Sequence, residues 1–321
     1  MIIDVPGRIE ASLPWTPVAV PADVPHGDMP GDKVRIGAQH VEKANVIFPA
    51  LAEALVPALQ ANPSSRAVVS VAGGSGVGKS EIASVLSFLL RTLGVGSYTL
   101  SGDNYVRRIP EQNDAERLRI FREDGLRGLI ASGGHAPDRA GALRELQRAG
   151  VDADPARATE AWLRTYQHAG RCGLKGYLGT PVEADFEQLS SVICQFKNGA
   201  ASVFLRRMGR GVADLWYDAV DLAETSVLVI EWTHGNSDFL RGVDVPIFLH
   251  STPTETLAHR RARNRDGALD SPFTTMVLGI EQEMLEGQSK KARVIISKGG
   301  ELMSHAEFRR LAGERPDGSD A

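Results

Sequence analysis

Between Val68 and Leu86 the chain changes its pattern twice. Val68-Val69-Ser70-Val71-Ala72 is an apolar, largely β-branched run. Gly73-Gly74-Ser75-Gly76-Val77-Gly78-Lys79-Ser80 is a glycine-rich turn of the form G-x-x-x-x-G-K-S. Glu81-Ile82-Ala83-Ser84-Val85-Leu86 then has helical spacing. A buried strand that feeds a helix through such a turn belongs in a parallel α/β sheet. The glycines let the backbone curl so that several N–H groups point at one anion, and the helix N-terminus adds positive dipole. In that setting Lys79 reaches the β- and γ-phosphates and the Ser80 hydroxyl ligates Mg²⁺. The eight residues Gly73 to Ser80 are therefore the expected binding residues for a nucleoside triphosphate, taken as ATP with Mg²⁺. A glycine-rich turn before an ordinary helix would need neither the strand nor the Lys-Ser pair.

The rest of the chain fits one α/β fold of the P-loop NTPase type, with a parallel sheet covered by helices on both faces. Its 321 residues suffice for one large domain with additions. Residues 1–65 read as an N-terminal arm and helix, the arm irregular over 1–35 and the helix spanning 38–61, with a break at Asn62-Pro63-Ser64-Ser65. Residues 66–313 read as the nucleotide-binding domain and 314–321 as a disordered tail. A second strand is expected at Ser97–Leu100, and a helical insertion follows it at about 106–175. Residues 173–181 read as a loop and Glu183 to Lys197 as a helix. Val227–Glu231 and Val245–Leu249 read as buried parallel strands and Ala292–Ile296 as the last one. Thr252-Pro253-Thr254-Glu255 has the spacing of a capping box.

Composition narrows the partners. The net charge of -4 speaks against broad nucleic-acid or membrane affinity. The greasiest stretch, Phe48 to Leu59, contains Glu53 and Pro57 and reads as an amphipathic helix too short to span a bilayer. The two cysteines, Cys172 and Cys194, form no C-x-x-C and are expected as buried small hydrophobes in a reducing cytoplasm. Homo-oligomerisation stays open.

Phosphoryl transfer needs positioning, a cation, stabilisation of spreading charge and a group to receive the acceptor's proton. Asp103, in Ser101-Gly102-Asp103-Asn104-Tyr105, follows the second strand, and sites in open parallel sheets lie at strand carboxyl ends. It is the expected base, though Gly-Asp-Asn would also suit a solvated turn. Glu231 closes an apolar strand and is the expected acid beside Mg²⁺; a strand-end carboxylate paired with a surface cation is the plainer alternative. Arg261 and Arg265 lie four apart on one helix face, Arg260 and Arg263 on another. One face could close over phosphates as a lid while the other is wet. Tyr105, Arg107, Arg108 and His234 are candidate substrate contacts, each equally at home in a structural role.

The order GGSGVGKS, SGDNY, VLVIEWTHG and DVPIFLHSTPTETLAHRRARNRDG resembles the uridine kinase and phosphoribulokinase family. That resemblance covers roughly 67–105 and 176–300. It implies that Asp103 is the catalytic base, Glu231 the later-strand acid and 260–266 the arginine lid. TPVEADFEQLSSVICQFKNG (180–199) is similar to the family's segment leading to a helix and a glycine. Residues 106–175 are longer and more helical than that family's acceptor region, so its acceptor pattern is not carried over. LSGDNYVRR is also similar to a stretch of the adenylylsulfate kinases, whose S-P-F motif occurs here as Ser271-Pro272-Phe273, out of order.

These readings converge on an ATP-dependent kinase. It would phosphorylate a hydroxyl of a nucleoside, sugar phosphate or related small metabolite, using Lys79, Asp103, Glu231, Arg261 and Arg265. Two other readings are an ATPase switch acting on a protein partner and an adenylylsulfate kinase. A non-catalytic nucleotide-binding scaffold would not need all of Lys79, Ser80, Asp103 and Glu231.

Overall fold

Ala67–Gly73 (β1), buried along its whole length, is interior to a six-stranded sheet in the computed structural model. The structure describes residues 4–21, 23–209, 211, 214–257 and 271–313. The other strands are β2 (Ser97–Ser101), β3 (Ser202–Met208), β4 (Leu215–Asp221), β5 (Val227–Glu231), β6 (Val245–Leu249), β7 (Val294–Ile296) and β8 (Leu302–Met303). The sheet order is β2-β5-β1-β6-β7-β8, parallel throughout except for β8. The expected strands at 97, 227, 245 and 292 form within two residues of their expected bounds.

Side chains alternate across a strand, so each strand feeds two layers. Val69, Val71, Val229, Ile247, Leu249, Val294 and Ile296 pack in one cluster with α2 (Ala38–Ala61) and α3 (Lys79–Thr92). Phe248 and Ile295 point the other way, into a second cluster with Leu285 and Phe308. Both faces are thus covered. The 24-residue α2 is long and apolar enough, by length and composition alone, to cross a bilayer, which the short span Phe48–Leu59 had not suggested. Its apolar stripe is nevertheless used inside the protein: Ile47, Phe48, Leu51, Leu55 and Leu59 are fully buried.

The chain divides into two units: 1–106 with 185–256 and 285–321, and 107–184 with 257–284. The sheet belongs to the first. The second is helical in its described residues, built on α4 (Pro110–Ala131), α5 (Pro137–Arg148), α6 (Ala161–Tyr177) and residues of the helix Pro272–Gln288. Small residues let α4 and α6 approach closely. A Cβ on Gly170 would lie 2.5 Å from Phe121, and one on Gly125 2.7 Å from Tyr166. Arg117 pairs with Glu183 at 2.6 Å and Glu281 at 3.1 Å, tying the helices together.

Three expectations change. Residues 173–177 continue α6 instead of opening a loop. The helix expected from Glu183 starts at Phe186 (α7, Phe186–Lys197), because the Asp185 side chain caps it by accepting from Gln188 N at 3.1 Å. Both cysteines are exposed, not buried. The antiparallel hairpin β3–β4 has no counterpart in the sequence reading. The arm expected to be irregular opens with a helix, α1 (Val5–Glu10), and its Trp15 packs at a tilt against Phe48, ring centroids 4.2 Å apart, and donates to Asn45 at 2.9 Å. The capping box forms as its spacing predicts, with Glu255 N donating to Thr252 Oγ1 at 3.2 Å and Thr252 N to Glu255 Oε2 at 2.6 Å.

Candidate active site at the carboxyl end of the sheet

The phosphate loop leaves β1 at Gly73 and enters α3 at Lys79. Gly76 and Gly78 hold φ of 76° and 97°, the left-handed region where a side chain would be strained. Gly78 is also crowded: a Cβ there would lie 3.1 Å from the ring of His40, near the start of α2. Lys79 lies across the loop and donates from Nζ to the Gly74 carbonyl at 3.1 Å.

Strand order explains what faces this loop. β5 lies between β1 and β2, in register so that Val71, Glu231 and Ser101 stand side by side. Glu231 therefore has the phosphate loop on one side and the Asp103 turn on the other. Ser80 Oγ donates to Glu231 Oε2 at 3.0 Å. The carboxyl is 4% exposed. Burial pushes its pKa from 4.5 up to about 8, and the negative charge of Asp103 adds to the rise, while Lys79 and the Ser80 hydroxyl oppose it.

Asp103 sits on the short 3-10 turn Gly102–Tyr105 and is exposed, while its neighbours are not. Each neighbour has a structural task. Gly102 lies against the Trp232 ring, where a Cβ would come within 2.1 Å. Asn104 is fully buried; its Oδ1 accepts from Met208 N at 3.0 Å and its Nδ2 donates to Asp28 Oδ1 at 3.2 Å. The Gly-Asp-Asn sequence is thus a packed corner that presents one carboxylate.

Other expected contacts fall elsewhere. Tyr105 is fully buried, so its ring is part of the core and is not offered to an acceptor. His234 is 5% exposed and sits edge-on to Trp232, ring centroids 5.3 Å apart, and near Phe186. Arg107 and Arg108 open the second unit, where Arg107 donates to the Pro181 carbonyl at 2.8 Å and Arg108 to the Tyr177 hydroxyl at 3.1 Å. Arg260, Arg261, Arg263 and Arg265 lie outside the described residues. Sequence reasoning missed Asp28 and Arg207, whose carboxylate and guanidinium meet at 2.9 Å beside the Asp103 turn. Nothing in the local pattern around either residue signals that meeting.

The oxygen set of Ser80 and Glu231 suits a hard divalent cation. Among the described residues there is no cluster of three or more His, Cys, Asp or Glu side chains that could cage a metal. A cation here would complete its sphere from phosphates and water, as Mg²⁺ does with nucleotides. A cation there would offset the desolvation that raises the pKa of the buried Glu231 carboxyl.

No protein-family model matches the sequence. The chain is 38% identical over 241 residues, 75% of its length, to the bifunctional alpha-galactosidase/sucrose kinase of Mediterraneibacter gnavus. It spans about a fifth of that protein, 21%. Among solved structures, phosphoribulokinase from Rhodobacter spheroides is 15% identical with TM-score 0.44, covering 73% of this chain and 70% of that one. D-glycerate 3-kinase from Cryptococcus neoformans var. grubii is 11% identical with TM-score 0.43, covering 84% of this chain and 98% of that one.

Proposed function

We propose that this chain is an ATP-dependent kinase that transfers the γ-phosphoryl group to a hydroxyl of a sugar or related small metabolite. The observation that carries it is the placement of Glu231 between Ser80 and the Asp103 turn. A phosphate cradle, a cation-holding acid and an exposed carboxylate then share one end of the sheet, where open α/β sheets bind ligands. The relative from Mediterraneibacter gnavus supports a sugar acceptor. The phosphate loop accords with the kinase part of its name, since glycoside hydrolysis needs paired carboxylates and no nucleotide.

In this reading the backbone N–H groups of 73–80 hold the β-phosphate, and Lys79 neutralises oxygens bridging toward the γ-phosphate. Mg²⁺ held by Ser80 and Glu231 would supply charge neutralisation on the phosphate oxygens. Asp103 accepts the proton of the acceptor hydroxyl as its oxygen bonds to the γ-phosphorus. The bond from that phosphorus to ADP breaks, and ADP leaves with the electron pair. Two exposed free thiols suit a reducing cytoplasm.

The test is ADP release from ATP·Mg²⁺ with sucrose, fructose, glucose, uridine and glycerate as acceptors. A stimulating acceptor is expected among the sugars, with Asp103→Asn lowering kcat by about 10²- to 10⁴-fold while ADP still binds. No stimulation by any of these acceptors, with basal hydrolysis indifferent to Asp103→Asn, would instead point to an ATPase switch.

A further inference from the structure

The arm before α2 reaches the carboxyl end of β2 and contributes a buried carboxylate there. The side chain of Asp28, in that arm, is only 9% exposed. Its Oδ1 accepts from Ser101 N at 2.7 Å and from Asn104 Nδ2 at 3.2 Å. Its Oδ2 accepts from the Tyr98 hydroxyl at 3.0 Å and from Arg207 at 2.9 Å. Ser101 and Asn104 flank Asp103 in the chain. One oxygen therefore pins both feet of the turn that carries the proposed base.

The clamp has a second jaw. Arg207, on β3, also donates to the Tyr98 hydroxyl at 3.2 Å and to Asp218 of β4 at 3.0 Å. Met208 N holds Asn104 Oδ1 from the same strand. The arm itself passes over the end of β5, where a Cβ on Gly27 would lie 3.7 Å from Glu231 Oε1. Charge-assisted bonds of this kind are short, directional and strengthened by exclusion of water. The arm and the hairpin, which the P-loop reading leaves without a task, thus converge on Ser101 and Asn104, on either side of Asp103.

We propose that Asp28 is a positioning residue for Asp103: through Ser101 and Asn104, and with Arg207 as its counter-charge, it fixes where the base carboxylate stands. The inference rests on the reading of Asp103 as the base. A displacement of about 1 Å at a reacting group can cost about 10²-fold in rate. Asp28→Asn keeps the shape but replaces one acceptor oxygen by a donor and removes the charge facing Arg207.

The experiment is a double-mutant cycle on the full chain, with ADP release measured using sucrose and fructose as acceptors. Asp28→Asn is expected to lower kcat by about 10²-fold and to leave the KM for ATP within about threefold. In the Asp103→Asn background the same change should alter the residual rate by less than about twofold, since the group it positions is gone. Unchanged kcat in Asp28→Asn, or an equal loss in both backgrounds, would overturn the proposal. Wild-type turnover by Asp103→Asn would sink the base assignment itself, a separate result.

Hydrogen exchange on the ligand-free protein gives a readout that needs no acceptor. In Asp28→Asn, amides of 98–106 should exchange about tenfold faster while those of 68–72 do not change. Equal protection of 98–106 in variant and wild type would refute the clamp. If Asp28→Asn does not fold, Tyr98→Phe removes one donor to the same carboxylate and runs through the same cycle. Its expected loss in kcat is about threefold, and no loss would count against the proposal.

Discussion

Glu231→Gln separates the cost of this site to the fold from its use in chemistry. In the folded protein the carboxyl stays protonated up to about pH 8, against an ordinary value of 4.5. Between those values the unfolded chain has released its proton and the folded chain has kept it. The folded state then binds more protons, so stability falls as pH rises through that window. The slope reaches about 1.4 kcal/mol per pH unit for one proton, which amounts to roughly 3 kcal/mol between about pH 5 and pH 8. Glutamine has no proton to lose, and its amide oxygen can still accept from Ser80 Oγ. The variant should therefore gain roughly 3 kcal/mol on the wild type over that interval, or about 5 °C or more in midpoint. The assay is urea or thermal denaturation in EDTA at several pH values. Adding ADP with Mg²⁺ at the upper end should favour the wild type. Stability curves that stay parallel from pH 5 to 8 would show that Glu231 ionises alike in both states, and the desolvation argument would fail.

Three further changes test other parts of the site. Lys79→Met should lower turnover by about 10²-fold or more, measured by ADP release, because the charge beside the transferring phosphate is lost. Gly102→Ala pushes a methyl carbon to 2.1 Å from the Trp232 ring and should destabilise by about 1–3 kcal/mol in urea denaturation. Arg66 donates to three carbonyls, of Phe196, Ala200 and Leu222, and lies over the Phe196 ring at 4.8 Å. Arg66→Met leaves those acceptors without this donor and should cost about 2–4 kcal/mol by the same measurement.

The parts of the fold that announce themselves are the ones built from contiguous residues. The run Val68–Ala72 is buried on both sides and reads as a strand because every position is apolar or small. The phosphate loop reads directly because glycine, lysine and serine must follow one another in the chain. Asp103 and Glu231 could be placed because strand ends are predictable once strands are. The hairpin β3–β4 was hidden because its burial does not follow polarity. Arg206 and Arg207 are buried while Phe204, Trp216 and Tyr217 are exposed. Tyr105 looked available to a ligand because nothing local says that β3 packs against its turn. Asp28 was illegible for a simpler reason: its partners are Tyr98, Ser101, Asn104 and Arg207, all remote in sequence.

The separation of 179 positions between Asp28 and Arg207 also has a meaning in time. At roughly 5–20 residues per second, a ribosome releases Arg207 about 10–35 s after Asp28. The arm and α2 emerge before every strand they will cover. Until β1, β6 and β7 exist, α2 carries Ile47, Phe48, Leu51, Leu55 and Leu59 with nothing to bury them. The arm and α2 are thus made before the strands that seat them. A nascent chain halted before Arg207 would hold Asp28 and the Asp103 turn without the guanidinium that completes the clamp.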